Sequence, residues 1–210
     1  MTKIFITGGI SSGKSSFAEE TALSLYKSLS PIAAGASARR DLTGQGQGGG
    51  SLHFIATAKA GILDEGKYED EEMALKIKKH KDKRNKDFIV HENFEDLSGE
   101  VVGVCKSLAL SSAAGKGVIL IDSMTLWLSS IFRDIAGYNS ALESVIKFSA
   151  YLSKIECSVI TVADSLGFNM VPVSAYVRKF IELNGLMEQE LSAVSDKAYC
   201  VIAGNPITLK

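Results

Sequence analysis

The sequence predicts an α/β fold, a mostly parallel, doubly wound sheet with helices on both faces. Three observations predict it. Apolar, β-rich runs recur along the chain, several of them apolar at every position, as strands covered on both faces must be. Segments of helical periodicity alternate with them. The first run opens into a glycine-rich turn and then a helix pattern, the order of a phosphate-binding βα unit.

Taken in order, the strands are Lys3–Thr7, Leu52–Thr57, Asp87–His91, Gly117–Asp122, Ser158–Ala163 and Ala198–Ala203. Ser15 to Leu29 reads as a helix, with Phe17, Leu25 and Leu29 among its apolar positions. Tyr176, Phe180, Leu183, Met187, Leu191 and Val194 recur at three- and four-residue spacing and predict a long amphipathic helix. Between the first helix and second strand, Ser30 to Ser51 is rich in Gly, Ala, Ser and Gln. It offers little to bury and reads as a flexible insertion of about residues 30–51 within one domain spanning 1–210.

Composition narrows the function classes. Hydrophobic residues are 46% of the chain, charged residues 22%, and the formal net charge is −1. That balance is expected of a soluble globular protein and lacks the basic excess of a general nucleic-acid binder. Apolar runs such as Gly117 to Ile121 are too short to span a bilayer. The start "MTKIFITGG" reads as a strand rather than a secretory signal. Cys105, Cys157 and Cys200 show no paired metal-ligand spacing and read as free, buried thiols in a reducing compartment. The expectation is a cytoplasmic protein.

The turn after the first strand carries Gly8, four residues, then Gly13-Lys14-Ser15, which satisfies G-x-x-x-x-G-K-[ST]. Glycines let the backbone aim successive N–H groups at phosphate oxygens. Thr7, Gly8, Gly9, Ile10, Ser11, Ser12, Gly13, Lys14 and Ser15 therefore form the candidate nucleotide cradle. Lys14 supplies mobile positive charge, and the Ser15 hydroxyl can ligate Mg²⁺. Asp122, at the end of "GVILID", is the acid that a P-loop NTPase needs on a nearby strand for the metal's shell.

The segment "LKIKKHKDKR", Leu75 to Arg84, sets His80 among six cations. A solvated helix face and C-terminal turn is one explanation. A phosphate-handling surface is the other. Cations lower the pKa of an imidazole from about 6.5 and so favour its neutral, nucleophilic form.

Several motifs in order resemble the bifunctional adenosylcobinamide kinase/adenosylcobinamide-phosphate guanylyltransferase family of cobalamin biosynthesis. They are "ITGGISSGKSSFAE" (6–19), "FIATA" (54–58), "DEEMALKIKKHKDKR" (70–84), "LIDSMTLWLSSI" (120–131) and "GNPITLK" (204–210). Phe88 and Glu92 fall where that family has Trp and Glu. The resemblance implies that His80 attacks the α-phosphate of GTP, expels pyrophosphate and carries GMP. It also implies nucleotide contacts at Ala56, Thr57, Ala58, Lys81, Asp82, Lys83, Arg84, Glu92 and Asp122. GTP or ATP and Mg²⁺ would serve the kinase step, the acceptor would be a corrinoid, and the assembly would be a homotrimer.

Four positions depart from the family pattern. Ser165 stands where the family has an acid, with Asp164 beside it as a compensating carboxylate; Asn169 replaces a glycine, Ile181 an arginine and Glu188 an asparagine. Loss of a cation and gain of an acid predict weaker binding of an anionic partner there. Two other readings stand beside the resemblance. One is a P-loop small-molecule kinase without a covalent intermediate. The other is a nucleotide-binding protein that has lost turnover.

Overall fold

The structure, a computed structural model, describes residues 1–29, 51–58, 75, 78, 84–110, 117–167 and 171–210. His80, Lys81, Asp82, Lys83, Asn169 and the insertion up to residue 50 lie outside the described residues.

Seven strands form one sheet: β1 (Lys3–Gly8), β2 (Leu52–Ala56), β3 (Phe88–His91), β4 (Val118–Asp122), β5 (Ser158–Asp164), β6 (Lys197–Ile202) and β7 (Asn205–Thr208). Their order is β3-β2-β4-β5-β1-β6-β7. Every neighbouring pair is parallel except β6 with β7. The described helices are α1 (Lys14–Leu29), α2 (Leu97–Leu110), α3 (Met124–Ile131), α4 (Tyr138–Lys154) and α5 (Ala175–Val194). None of them is long and apolar enough to cross a membrane.

Alternation along each strand sorts the apolar side chains into two cores. Ile4 and Ile6 of β1 join Leu52, Phe54, Leu120, Ile160 and Val162 beneath Ala18 and Ala22 of α1. Phe5, pointing the other way, joins Ile55, Ile119, Ile121 and Val159 beneath α2, α3, α4 and α5. The central strands β1, β4 and β5 are buried at almost every position, which is why they read as unbroken apolar runs.

The long helix pattern holds through its middle. Leu183, Met187 and Leu191 are buried, while Phe180 and Val194 are partly covered. Tyr176 departs from the expectation: it lies at the surface end, stacks on buried Phe132 and donates its hydroxyl to Phe132 O at 2.9 Å. The thiols require a correction too. Cys157 is buried, but Cys105 and Cys200 are partly exposed. Strand β7 has no counterpart among the predicted runs, because all four of its residues are exposed on an edge and carry no burial pattern.

A polar chain crosses the sheet between β2 and β3. Ser51 Oγ lies 2.6 Å from His53 Nε2, His53 Nδ1 lies 2.9 Å from His91 Nε2, and His91 Nδ1 lies 2.5 Å from Glu100 Oε1. One arrangement of protons satisfies all three contacts. Ser51 donates to His53, His53 donates through Nδ1–H to His91, and His91 donates through Nδ1–H to Glu100. Burial, aided by the neighbouring His91, lowers the His53 pKa to about 4 and keeps the ring neutral.

Candidate active site

The cradle stands at the C-terminal end of β1, where α1 begins. Its shape depends on two glycines for different reasons. At Gly13, φ is +96°, a backbone conformation that side chains disfavour. At Gly8 a Cβ would come within 2.5 Å of Val201 O and 2.7 Å of Ser12 Oγ, so close packing excludes any larger residue. Ser11 also has positive φ, and the Ser12 N–H closes the turn onto Gly9 O at 3.2 Å. A second loop braces it. The β6–β7 turn places both Ala203 and Gly204 at positive φ, and the Gly204 N–H donates to Ser12 O at 2.8 Å.

Lys14 is buried, and its ammonium is held in two directions. It pairs with Asp164 Oδ1 at 2.5 Å and donates to Gly9 O at 3.2 Å. Asp164 ends β5, the strand directly beside β1, and is the register partner of Gly8. Its backbone is fixed from both sides. The Asp164 N–H donates to Thr125 Oγ1 at 2.8 Å, and Asn184 Nδ2 donates to Asp164 O at 2.9 Å. Thr125 donates in turn to Asn184 Oδ1 at 3.0 Å, which closes a buried ring of hydrogen bonds.

Glu188 joins this cluster from α5. Its Oε1 accepts from Asn184 Nδ2 at 3.1 Å and from the Thr7 hydroxyl at 3.3 Å. Burial pushes its pKa up to about 7; the two hydrogen bonds oppose the shift and nearby Asp164 adds to it. Glu188 is thus an internal acid beneath the cradle, tied to β1, and not simply a repulsive charge facing a partner.

The remaining candidates lie around the same end of the sheet. Thr57, after β2, accepts from Ser123 N–H at 2.9 Å and donates to Ser123 O at 2.6 Å. Its own N–H donates to Asp122 O at 3.2 Å, so β2 and β4 are locked together at Asp122. Ala56 is the register partner of Asp122, and Ala58 follows Thr57 at the sheet's end. Ser15 and Asp122 are hard oxygen donors of the kind that suit Mg²⁺. No three His, Cys, Asp or Glu among the described residues gather into a metal cluster. Two protein oxygens alone would leave a hard cation to take its remaining ligands from phosphate and water.

Arg84 and Glu92 form a separate pair at 3.4 Å, with the Arg84 guanidinium 3.8 Å above the Phe54 ring. Beside them, the Asn85 N–H donates to Glu19 Oε2 at 3.4 Å. This contact ties the end of the basic segment to α1, one turn beyond Ser15. Thr57 also lines a cleft of about 200 Å³, with Asp96, Trp127, Ser130, Ser144 and Lys147 among its other walls.

Sequence reading brought the cradle, Thr57 and Asp122 to one end of the sheet, and the structure places them there. It missed Thr125 and Asn184, and it named Asp164 only as the acid beside Ser165, not as the partner of Lys14. The one available signal was an acid at the end of an apolar strand, Asp164 after "SVITVA".

The family described as cobinamide kinase / cobinamide phosphate guanyltransferase matches residues 4–209. The bifunctional adenosylcobalamin biosynthesis protein CobP of Pseudomonas aeruginosa is 24% identical, over 98% of this chain and 95% of the relative. The corresponding CobU protein of Salmonella typhimurium is 25% identical, over 99% of both chains. Among solved structures, an ATPase domain aligns with TM-score 0.48 and 13% identity, over 95% of this chain and 68% of the other. A KaiC-like protein from Pyrococcus horikoshii aligns with TM-score 0.44 and 14% identity, over 95% and 71%.

Proposed function

Because the chain belongs to the cobinamide kinase / cobinamide phosphate guanyltransferase family, we propose that it phosphorylates adenosylcobinamide and then transfers GMP to that phosphate through His80. The family is one of transferases, with kinase and guanylyltransferase activities in adenosylcobalamin biosynthesis, and the chain is a transferase of that family. The proposal adds the covalent intermediate, the metal and the assembly.

The observation that carries the reading is the braced cradle with its buried lysine, Lys14, set at the start of α1. Backbone N–H groups there and the positive end of the helix suit a nucleoside triphosphate. Thr7 through Ser15 would surround the phosphates, with Ser15 and Asp122 holding Mg²⁺ when it is bound. The metal would neutralise charge on the phosphate oxygens. The role of His80 rests on the family resemblance of the segment from Leu75 to Arg84; Asn85, the residue after that segment, donates its N–H to Glu19 of α1. Lys81, Asp82, Lys83, Arg84 and Glu92, with Ala56, Thr57 and Ala58, would complete the guanylylation site. We further assign the chain one domain, a cytoplasmic location and a homotrimeric assembly by the same family reading.

Incubation with Mg²⁺ and GTP labelled at the α-phosphate tests the covalent step. Acid-labile label on the wild type and none on His80→Ala is the expected result. Absence of label from both, while GTP binds, would leave a kinase without a covalent intermediate.

A further inference from the structure

We propose that Asp164 is the catalytic base of the kinase half-reaction, accepting the proton of the acceptor hydroxyl as it attacks the γ-phosphate. The inference rests on the kinase reading above and adds a residue that neither the P-loop nor the metal-site motif contains.

The geometry points to it in three ways. First, Lys14 Nζ and Asp164 Oδ1 are 2.5 Å apart. A lysine in this loop serves the outer phosphates, so the Asp164 carboxylate borders the place where a γ-phosphate would sit. When Lys14 turns to the phosphates, that oxygen gives up its partner and is left as a hydrogen-bond acceptor. Second, the carboxylate is aimed by its own backbone, which Thr125 and Asn184 clamp at 2.8 and 2.9 Å. Third, Asp164 ends the strand between β1 and β4, and so stands between the cradle and Asp122.

The step balances. The hydroxyl oxygen forms a bond to the γ-phosphorus, the bond from that phosphorus to the bridging oxygen breaks, and the nucleoside diphosphate leaves with its electron pair. The hydroxyl proton passes to the Asp164 carboxylate. A proton acceptor positioned in this way contributes about 10²–10⁴-fold to a rate. The groups facing Asp164 are Lys14 from α1, Thr125 from α3, and Asn184 and Glu188 from α5, with Thr7 of β1 behind Glu188. Glu188 acts only through its neighbours and is a positioning residue.

The test measures phosphorylation of adenosylcobinamide by wild type and Asp164→Asn, together with the Kd of a fluorescent GTP analogue. The expected result is a kcat lower by about 10²–10⁴-fold and a Kd that is no weaker. Partial rescue of Asp164→Ala by added formate would support the same role, and serves if the Asn variant folds poorly. A kcat within threefold of wild type, or a loss of rate matched by an equal loss of nucleotide affinity, overturns the assignment. Wild-type protein that binds GTP but phosphorylates nothing overturns the kinase reading itself.

Discussion

Lowering the pH from 7 to 5 is expected to remove about 2 kcal/mol of folding stability through His53 alone. The ring is 6% exposed, held between Ser51 and His91, and its pKa is about 4. In the unfolded chain the same group titrates near 6.5, so below that pH the unfolded state takes up a proton that the folded state refuses. The stabilisation is complete above the unfolded pKa and is lost as pH falls from about 6.5 toward 4, each unit costing about 1.4 kcal/mol. The loss reaches about 2 kcal/mol by pH 5 and about 3 kcal/mol near pH 4. Urea unfolding of wild type and His53→Gln at both pH values isolates this contribution, because glutamine keeps a polar side chain there but does not titrate. The variant should start less stable at pH 7 and lose about 2 kcal/mol less on acidification. Parallel losses in the two proteins would refute the argument and move the acid sensitivity elsewhere.

Other outcomes follow from the cradle and the ring beside it. Gly13→Ala forces a side chain into φ +96° and brings its Cβ within 3.3 Å of Gly204 Cα. A loss of about 1–3 kcal/mol is expected in thermal unfolding, with weaker binding of a fluorescent GTP analogue. Asn184→Leu deletes bonds to Thr125, Asp164 and Glu188 in a site 1% exposed. Urea denaturation should show at least about 2 kcal/mol lost, since buried partners are left without hydrogen bonds.

The parallel strands were legible because they are buried on both faces, and a run such as "VILI" in β4 admits few other readings. The cradle was legible because its chemistry is local: nine consecutive residues carry the turn, the cation and the hydroxyl. The clamp on Asp164 was not, since Thr125 and Asn184 are 59 positions apart and meet only once α3 and α5 pack beside β5. Glu188 shows the same limit in another form. As a letter it is an added charge; in place, burial under β1 raises its pKa to about 7. Helix α4 was also missed. No side chain caps its start at Gly137, so its N-terminus lacked the usual sequence mark.

The contact of Gly204 with Ser12 sets an order of events during synthesis. The cradle's residues are made well before the backbone donor that braces them, which belongs to the β6–β7 turn. Loop closure over that span is slow compared with forming α1 or a neighbouring hairpin. A nascent chain therefore carries an unbraced phosphate loop until β6 and β7 have been released and docked. Nucleotide affinity becomes a late-maturing property, acquired after most of the sheet exists. A chain stalled before Val201 would hold the complete GKS motif and still present an unfinished cradle.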